Sequence, residues 1–523
     1  MEVAAARPSP GLLDRERIVA GPGFNRWLVP PAALAIHLCI GMAYGFSAFW
    51  LPLSRALGVT QSVACPDLTL GRALFTTTCD WRVSDLGWMY TLFFVFLGSS
   101  AALWGGWLER AGPRKAGVVS AVCWCGGIVI AAMGVIVHQL WIMWLGGGVI
   151  GGVGLGLGYI SPVSTLVKWF PDRRGMATGM AIMGFGGGAM IGAPLANSLM
   201  TYFRTPTSVG VWETFLVLAA VYFVFMMGGA FSYRVPDSAR GAAPGKPATA
   251  DTSVHHHDAI KAKQFWLIWA VLCLNVSAGI GVIGMASPML QEIFGASAAV
   301  AAGFTGLISL FNIGGRFFWA SLSDHIGRKA TYATFFLLGI ALYASAPSLA
   351  RAGSQAAFVL AICVIVSMYG GGFATIPAYL ADTFGTQYVG AIHGRLLTAW
   401  STAGLIGPVL VNYIREAQIA AGVPRQQVYD FTLYILAGLL VVGFVANALV
   451  KPLAACWFAS GEQITSPTPQ IPSLKVPNVG IRDVGFGTWD FRAALAWTAV
   501  GVPLAWGTWV TVAQAVVLFT GGR

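Results

Sequence analysis

The chain has 523 residues, of which 56% are hydrophobic and only 10% are charged. Soluble globular proteins carry about 25% charged residues, so this composition excludes a soluble fold. The long, continuous apolar runs reach the roughly 20 residues that a membrane-spanning helix needs, and they exclude a β-barrel, whose strands alternate. The net charge of +11 falls in short loops between these runs, which favours positive-inside topology over a nucleic-acid partner.

Twelve apolar runs predict an all-α polytopic membrane protein with two bundles of six helices. Arg15, Arg17 and Arg26 precede the first run and place the N terminus in the cytoplasm. The predicted divisions in chain order are a cytoplasmic N-terminal tail at 1–26, an N-terminal bundle at 27–231, a cytoplasmic linker at 232–263, a C-terminal bundle at 264–452, a cytoplasmic loop at 453–490 and an extra transmembrane segment at 491–523.

The last apolar run, 493–519, is long enough to span a membrane, so it predicts a thirteenth helix with its C terminus outside. Pro503 and the polar residues Thr508, Thr511 and Gln514 interrupt this run. The alternative is a helix that lies in the membrane interface.

The polar loop between the first two runs contains Cys65 and Cys79. If this loop is extracytoplasmic, the two thiols are candidates for a disulfide. Three consecutive histidines at 255–257 lie in the polar linker, where a solvated segment is favoured over a metal site. We therefore expect no metal and no cofactor.

Two turns form an internal repeat: GGWLERAGPRK at 105–115 follows the second run, and ASLSDHIGRK at 320–329 follows the eighth. In each turn the glycine permits a sharp reversal, and the acid can pair with basic groups or cap a helix. We interpret the turns as conformational gating motifs. Aligning Gly112 with Gly327 pairs Glu109 with Asp324, and Arg114 or Lys115 with Lys329, next to Arg328.

This pattern resembles the signature loop of the major facilitator superfamily, although Ala320 and His325 depart from its usual Gly and Arg. Over residues 27–450 the chain is similar to the oxalate/formate antiporter family. The segments that carry this resemblance are AYGFSAFW at 43–50, GLGYISPVSTLVKWFPDRRGMATGMA at 156–181, LFNIGGRFFW at 310–319 and YGGGFATIPAYLADTFG at 369–385. The resemblance implies a major facilitator fold whose two halves rock about a site near the bilayer midplane.

Arg316 lies inside the apolar run 309–329, and an arginine inside a membrane helix marks a functional site because its burial is costly. The resemblance implies that Arg316 binds the substrate carboxylate. It also implies a second cation, a lysine in the eleventh helix, but Trp400 occupies that position. One cation suits a monocarboxylate better than a dianion, unless Arg395 or His37 supplies the other charge.

Five more side chains complete the candidate substrate site. Asn312 lies one turn before Arg316, where it could orient the guanidinium, bind substrate or bond another helix. His37 could carry a proton or hydrogen-bond a neighbouring helix. The hydroxyls of Tyr44, Tyr159 and Tyr369 could bond a carboxylate while their rings exclude water, or the rings could simply pack.

The predicted helices contain no central Asp or Glu, and proton-driven transporters often use an embedded carboxylate relay. We therefore expect a secondary active transporter that exchanges small carboxylate anions in the manner of oxalate/formate antiporters. The alternative is proton-coupled symport of a monocarboxylate such as lactate, pyruvate or formate. No acid and base constellation indicates an enzyme. The expected partners are the anion, H⁺ in the symport case, and the lipid bilayer of the inner membrane, with a monomer as functional unit.

Overall fold

The computed structural model describes residues 11–65, 68–170, 174–236, 253–385, 389–454, 457 and 491–520. Within these residues the fold is built from thirteen long helices. They are α1 Arg26–Leu53, α2 Val83–Ala111, α3 Pro113–Ile136, α4 Leu140–Met143 continuing through Trp144–Gly151 and Gly152–Trp169, α5 Arg174–Phe203, α6 Val211–Ser232, α7 Lys263–Phe294, α8 Ala298–Ile326, α9 Arg328–Arg351, α10 Gln355–Phe384, α11 Val389–Leu396 continuing through Thr398–Ala420, α12 Asp430–Leu449 and α13 Phe491–Thr520.

All of these helices except the glycine-rich α5 meet the length and hydropathy expected of a membrane span. Helices α1–α6 form one half and α7–α12 the other, and the halves meet where α5 packs on α8 and α2 packs on α11. Small residues permit this close approach: Gly404 of α11 lies against the Phe94 side chain of α2, and Ser401 Oγ donates to the Val95 carbonyl at 3.1 Å. The predicted two-bundle fold is confirmed.

The thirteenth predicted helix is also confirmed, as α13. It packs against α5, α8 and α1, so it lies beside the helical bundle. Thr508 and Thr511 are one turn apart and face the bundle, where both hydroxyls contact Met190 of α5. The two threonine hydroxyls that interrupt this apolar run are therefore satisfied by helix contacts within the protein, whereas Gln514 Oε1 is buried without a hydrogen-bond partner among the described residues.

The two repeated turns have the same backbone geometry. Gly112 and Gly327 both have φ of +85°, a conformation that strongly favours glycine. Two positions later, Arg114 donates to the Phe231 carbonyl near the end of α6 at 3.0 Å, and Lys329 donates to the Ala448 carbonyl near the end of α12 at 2.8 Å. Each cation thus caps the C terminus of the last helix of its own half.

This geometry makes Arg114, and not the half-buried Lys115, the counterpart of Lys329. In the second half Arg328 pairs with Asp324 at 2.6 Å and with Asp382 at 3.4 Å. The side chain of Glu109 lies outside the described residues. All these contacts stay within one half, and a gating role for the turns stays a prediction.

The loop between α1 and α2 is closed by a disulfide between Cys65 and Cys79, whose Cα atoms are 5.8 Å apart. The adjacent Asp80 carboxylate accepts three backbone N–H bonds, at 2.7 to 3.2 Å, from residues in the stretch 57–63. Buried carboxylates need such donors. The loop is therefore an ordered cap on the first half.

His138, in the turn between α3 and α4, joins this cap to the bundle. Its ring stacks on Trp81 with centroids 3.9 Å apart, and its Nε2–H donates to the Cys79 carbonyl at 2.9 Å. Burial lowers the pKa of His138, and the bond to the Cys79 carbonyl and the charge of Asp80 oppose this shift. The neutral imidazole is thus the form that fits the fold.

Each predicted division has a part outside the described residues. The largest gaps are 1–10 of the N-terminal tail, 237–252 of the linker, and all of the loop at 453–490 except 453, 454 and 457. The described end of the linker contains the short helix His256–Ala259. The division of the chain at these boundaries stays a prediction.

Candidate functional site

Arg316 is 2% exposed at the centre of the helical bundle. Its Nε–H donates to Asn312 Oδ1 at 3.1 Å, and its guanidinium carbon lies 5.7 Å from the centre of the Phe373 ring. The buried Nη1 and Nη2 atoms have no hydrogen-bond partner among the described residues. A guanidinium has five N–H donors; Asn312 accepts from one of them, and the Tyr159 hydroxyl lies within interaction range of the guanidinium.

Glycine allows the arginine to occupy this position. Gly186 of α5 faces the pair, and a Cβ atom there would lie 3.1 Å from Arg316 Nε and 3.2 Å from Asn312 Oδ1. One turn away on α8, Ser309 Oγ donates to the Gly186 carbonyl. The hydrogen bond between α5 and α8 thus fixes the two helices beside the arginine. Asn312 accepts from the guanidinium, and its role in orienting Arg316 or binding substrate stays a prediction.

The three predicted tyrosines lie around Arg316. Tyr44 of α1 and Tyr369 of α10 share a hydrogen bond between their hydroxyls at 2.6 Å, which crosses from one half to the other. Tyr159 of α4 is buried, and its hydroxyl has no geometric hydrogen-bond partner in the described part of the chain. All three are close enough to interact electrostatically with the guanidinium.

Trp400 is fully buried in an aromatic box. Ring centroids of Phe94, Tyr159, Phe185 and Phe373 lie 4.4 to 5.7 Å from its own. The indole Nε1–H, like the Tyr159 hydroxyl, has no partner within the described ranges. The box therefore combines apolar walls with neutral donors, an arrangement typical of small-ligand sites.

Sequence analysis missed the phenylalanines of this box. Phe185 has a recognisable signal, because it lies among the glycines of GFGGGAMIGAP at 184–194. Phe373 follows Tyr369 by four residues and so shares its helix face. Phe94 lies in an ordinary apolar run and carries no such signal.

His37 is fully buried and stacks on Tyr159 with ring centroids 5.5 Å apart. Its Nε2 lies 3.1 Å from the Tyr159 carbonyl oxygen, which can only accept, so Nε2 carries a proton. Arg395 contacts His257 of the linker at 3.3 Å at the end of α11 that precedes Trp400. No contact between Arg395 and the aromatic box is present among the described residues, and a role for it as the second cation stays a prediction.

Two ion-paired carboxylates that sequence analysis did not identify lie near helix ends: Asp85 is buried, and the side chain of Glu292 is 10% exposed. Asp85 pairs with Arg82 at 3.0 Å, and Glu292 pairs with Arg415. Neither contacts Arg316 in the part of the chain that the structure describes. The charge of Arg316 therefore has no acidic partner there.

The site is closed. The free space beside Tyr44, Ser309 and Asn312 is a cavity of about 10 Å³, enough for about one water molecule. At the end that carries the disulfide loop, Trp88 Nε1 donates to the Tyr413 hydroxyl at 2.9 Å, which joins the two halves. The contact between Ser401 and α2 joins them nearer the centre. The structure is thus an occluded conformation.

Residues 33–408 match the Major Facilitator Superfamily. The chain is 25% identical over 388 residues to the oxalate:formate antiporter of Oxalobacter formigenes, covering 73% of this chain and 83% of that protein. It is 25% identical over 378 residues to apicoplast pyruvate carrier 1 of Toxoplasma gondii, covering 60% and 66%.

Among solved structures, the D-xylose-proton symporter superposes with a TM-score of 0.61 at 15% identity, covering 81% of this chain and 98% of the symporter. At that identity the likeness concerns the fold alone. The family match includes helices of both halves and the segment that contains Arg316. The chain is therefore a multi-pass membrane transporter that belongs to the Major Facilitator Superfamily.

Proposed function

We propose that the protein exchanges small carboxylate anions across the cytoplasmic membrane by alternating access, with its N terminus in the cytoplasm. The observation that carries this proposal is the buried Arg316, whose Nη1 and Nη2 atoms have no partner among the described residues. Leaving buried charged donors unpaired is costly. A bound anion removes that cost, and a carboxylate matches the guanidinium fork.

The charge of the site favours a monovalent substrate. Arg316 supplies one positive charge, and the walls around Trp400 are aromatic. A monocarboxylate would make the occupied box neutral, whereas a dianion would leave a net negative charge in an apolar environment. Formate-like monoanions therefore suit the box better than fully ionised oxalate.

The two neutral hydrogen-bond donors of the aromatic box further restrict the class of substrate that fits it. The Trp400 indole N–H and the Tyr159 hydroxyl are buried in the same box without geometric partners among the described residues. They would bond a second, uncharged oxygen next to the carboxylate. A 2-oxo or 2-hydroxy monocarboxylate such as pyruvate, glyoxylate or lactate has that oxygen. Similarity to a pyruvate carrier supports this class.

Alternating access requires contacts between the halves that can break. The Tyr44 and Tyr369 hydroxyls make such a contact next to Arg316. A carboxylate bound to the arginine could accept from either hydroxyl. Substrate binding would thereby couple occupancy of the site to the closure of the two halves.

Proton-coupled monocarboxylate symport is the second candidate function. His37 stacks on Tyr159, which is itself part of the aromatic box around Trp400. A histidine can exchange a proton near neutral pH, so His37 could carry the coupled proton. In that case transport would follow the proton gradient and would not require an anion on the opposite side.

Counterflow in proteoliposomes tests both functions. Vesicles loaded with unlabelled oxalate, formate, pyruvate or lactate take up the labelled anion, with and without a pH gradient. Stimulation by the loaded anion without dependence on the gradient supports exchange. Accumulation driven by an inward proton gradient in empty vesicles supports symport, and that accumulation should then be lost in His37→Gln. Uptake at the level of protein-free vesicles with every anion would refute carboxylate transport.

A further inference from the structure

Helix α13 lies across the junction between the two halves. On α5, the Thr511 hydroxyl donates to the Met190 carbonyl at 3.1 Å, and the backbone of Gly507 lies against Ile191. On α8, Thr511 itself lies against Gly306, and Gln514 lies against Gly303. One face of α13 thus contacts both sides of the α5–α8 junction.

The α8 surface is shaped for this contact. Gly303 and Gly306 are three residues apart and share a helix face. Each lacks a side chain where α13 approaches, and a Cβ atom at Gly306 would overlap the Thr511 side chain. Thr511 is fully buried, whereas Trp509 on the opposite face of α13 is 75% exposed.

The contact lies one helical turn from the substrate site. Met190 follows Gly186 by four residues on α5, and Gly306 precedes Ser309 by three residues on α8. The hydrogen bond between Ser309 and the Gly186 carbonyl holds α8 against α5 at the point where Gly186 faces the Arg316 guanidinium. One turn of helix is about 5.4 Å, so α13 clamps the two helices next to that hydrogen bond.

We propose that Thr511 is a positioning residue that holds α5 against α8 and so favours the occluded conformation in which the Arg316 site is assembled. Alternating access requires the two halves to move relative to each other, and α13 has contacts with both. Any movement that separates α5 from α8 next to Met190 must break the Thr511 bond or the glycine contacts. The inference rests on the two-half architecture and not on the identity of the carboxylate.

The test measures how accessible the cavity between the two halves is to solvent, in the absence of substrate. Ala189 lines the small cavity beside Tyr44, and Ala189→Cys reports its accessibility to a thiol reagent, quantified by peptide mass spectrometry on the full chain in nanodiscs. Because a single net hydrogen bond is lost, we expect Thr511→Val to raise the labelling rate about two- to tenfold. Thr511→Ser keeps the hydroxyl and should label at the parental rate.

Gly306→Ala is a second perturbation that pushes α13 away from α8, and it should raise labelling in the same direction. Trp509→Ala is the matched control on the exposed face of the same helix and should leave labelling unchanged. Parental labelling in folded Thr511→Val or Gly306→Ala protein would overturn the inference. So would equal increases in Thr511→Val and Thr511→Ser. Neither result would bear on carboxylate exchange, which the counterflow assay tests separately.

Discussion

Replacing Arg316 by glutamine separates a substrate-binding role from a structural one. The substitution removes the charge and the fork but keeps a shorter, neutral polar group. In the described residues no carboxylate pairs with Arg316, and its Nη1 and Nη2 atoms are unsatisfied. Arg316→Gln therefore leaves no buried acid unpaired and relieves the burial cost of a cation. We expect the substrate-free variant to melt at the parental temperature or above it.

In contrast to thermal stability, the affinity for substrate should fall in Arg316→Gln. Removing one member of a buried charged pair costs about 2–5 kcal/mol, and every 1.4 kcal/mol is a tenfold change in affinity. Arg316→Gln should therefore weaken substrate binding about 30-fold to several thousand-fold. Arg316→Lys restores the charge without the fork, so its loss should be smaller.

The assay combines counterflow in proteoliposomes at matched protein density with thermal unfolding of the purified variants. A substrate-induced rise in melting temperature, present in the parent and absent in Arg316→Gln, would report the lost binding directly. Uptake by Arg316→Gln at the parental rate would refute the carboxylate role. A variant that fails to fold would show instead that Arg316 is structural.

Three further predictions concern other parts of the molecule. Trp400→Lys adds a second cation to the box and should raise uptake of oxalate relative to formate about tenfold, because hydrogen bonds to charged groups are stronger; unchanged relative uptake would contradict the role of Trp400. Burial lowers the pKa of His138, so its contribution to stability is present above its ordinary pKa of about 6.5 and is lost as the pH falls below that value. The melting temperature should thus fall more between pH 7 and 5 in the parent than in His138→Gln, and parallel curves would argue against it. Pairing Cys65→Ser with Cys79→Ser opens a loop that the disulfide closes over a sequence separation of 14 and should lower the free energy of unfolding by about 3 kcal/mol, measured by denaturant unfolding; an unchanged midpoint would show that the cap is stable without its disulfide.

The helices could be predicted from sequence because the membrane imposes a local rule. Each spanning segment must be apolar and must satisfy its own backbone hydrogen bonds, so length and composition alone place it. Arg316 stood out for the same reason, since a charge in such a segment is costly wherever the segment packs. The two repeated glycine turns were visible because positive φ restricts the residue type.

Other features depend on how helices rotate and cross, which composition does not encode. The turn repeat left Arg114 and Lys115 as alternatives, and only the packing of α3 against the end of α6 makes Arg114 the counterpart of Lys329. The last apolar run predicted a spanning helix, with an interfacial helix as the alternative. Its contacts with Met190 and Gly306 place it at the α5–α8 junction.

Composition and the spacing of the apolar runs predict an all-helical membrane protein of two halves, with Arg316 inside one of those runs. The packing of the helices places this arginine near an aromatic box around Trp400, with Phe94 and Phe185 from the first half and Phe373 from the second. The helices are predictable because the bilayer constrains the composition of each spanning segment separately. A site between helices instead depends on side chains that are hundreds of residues apart, and the crossing angles of the helices decide which of them meet.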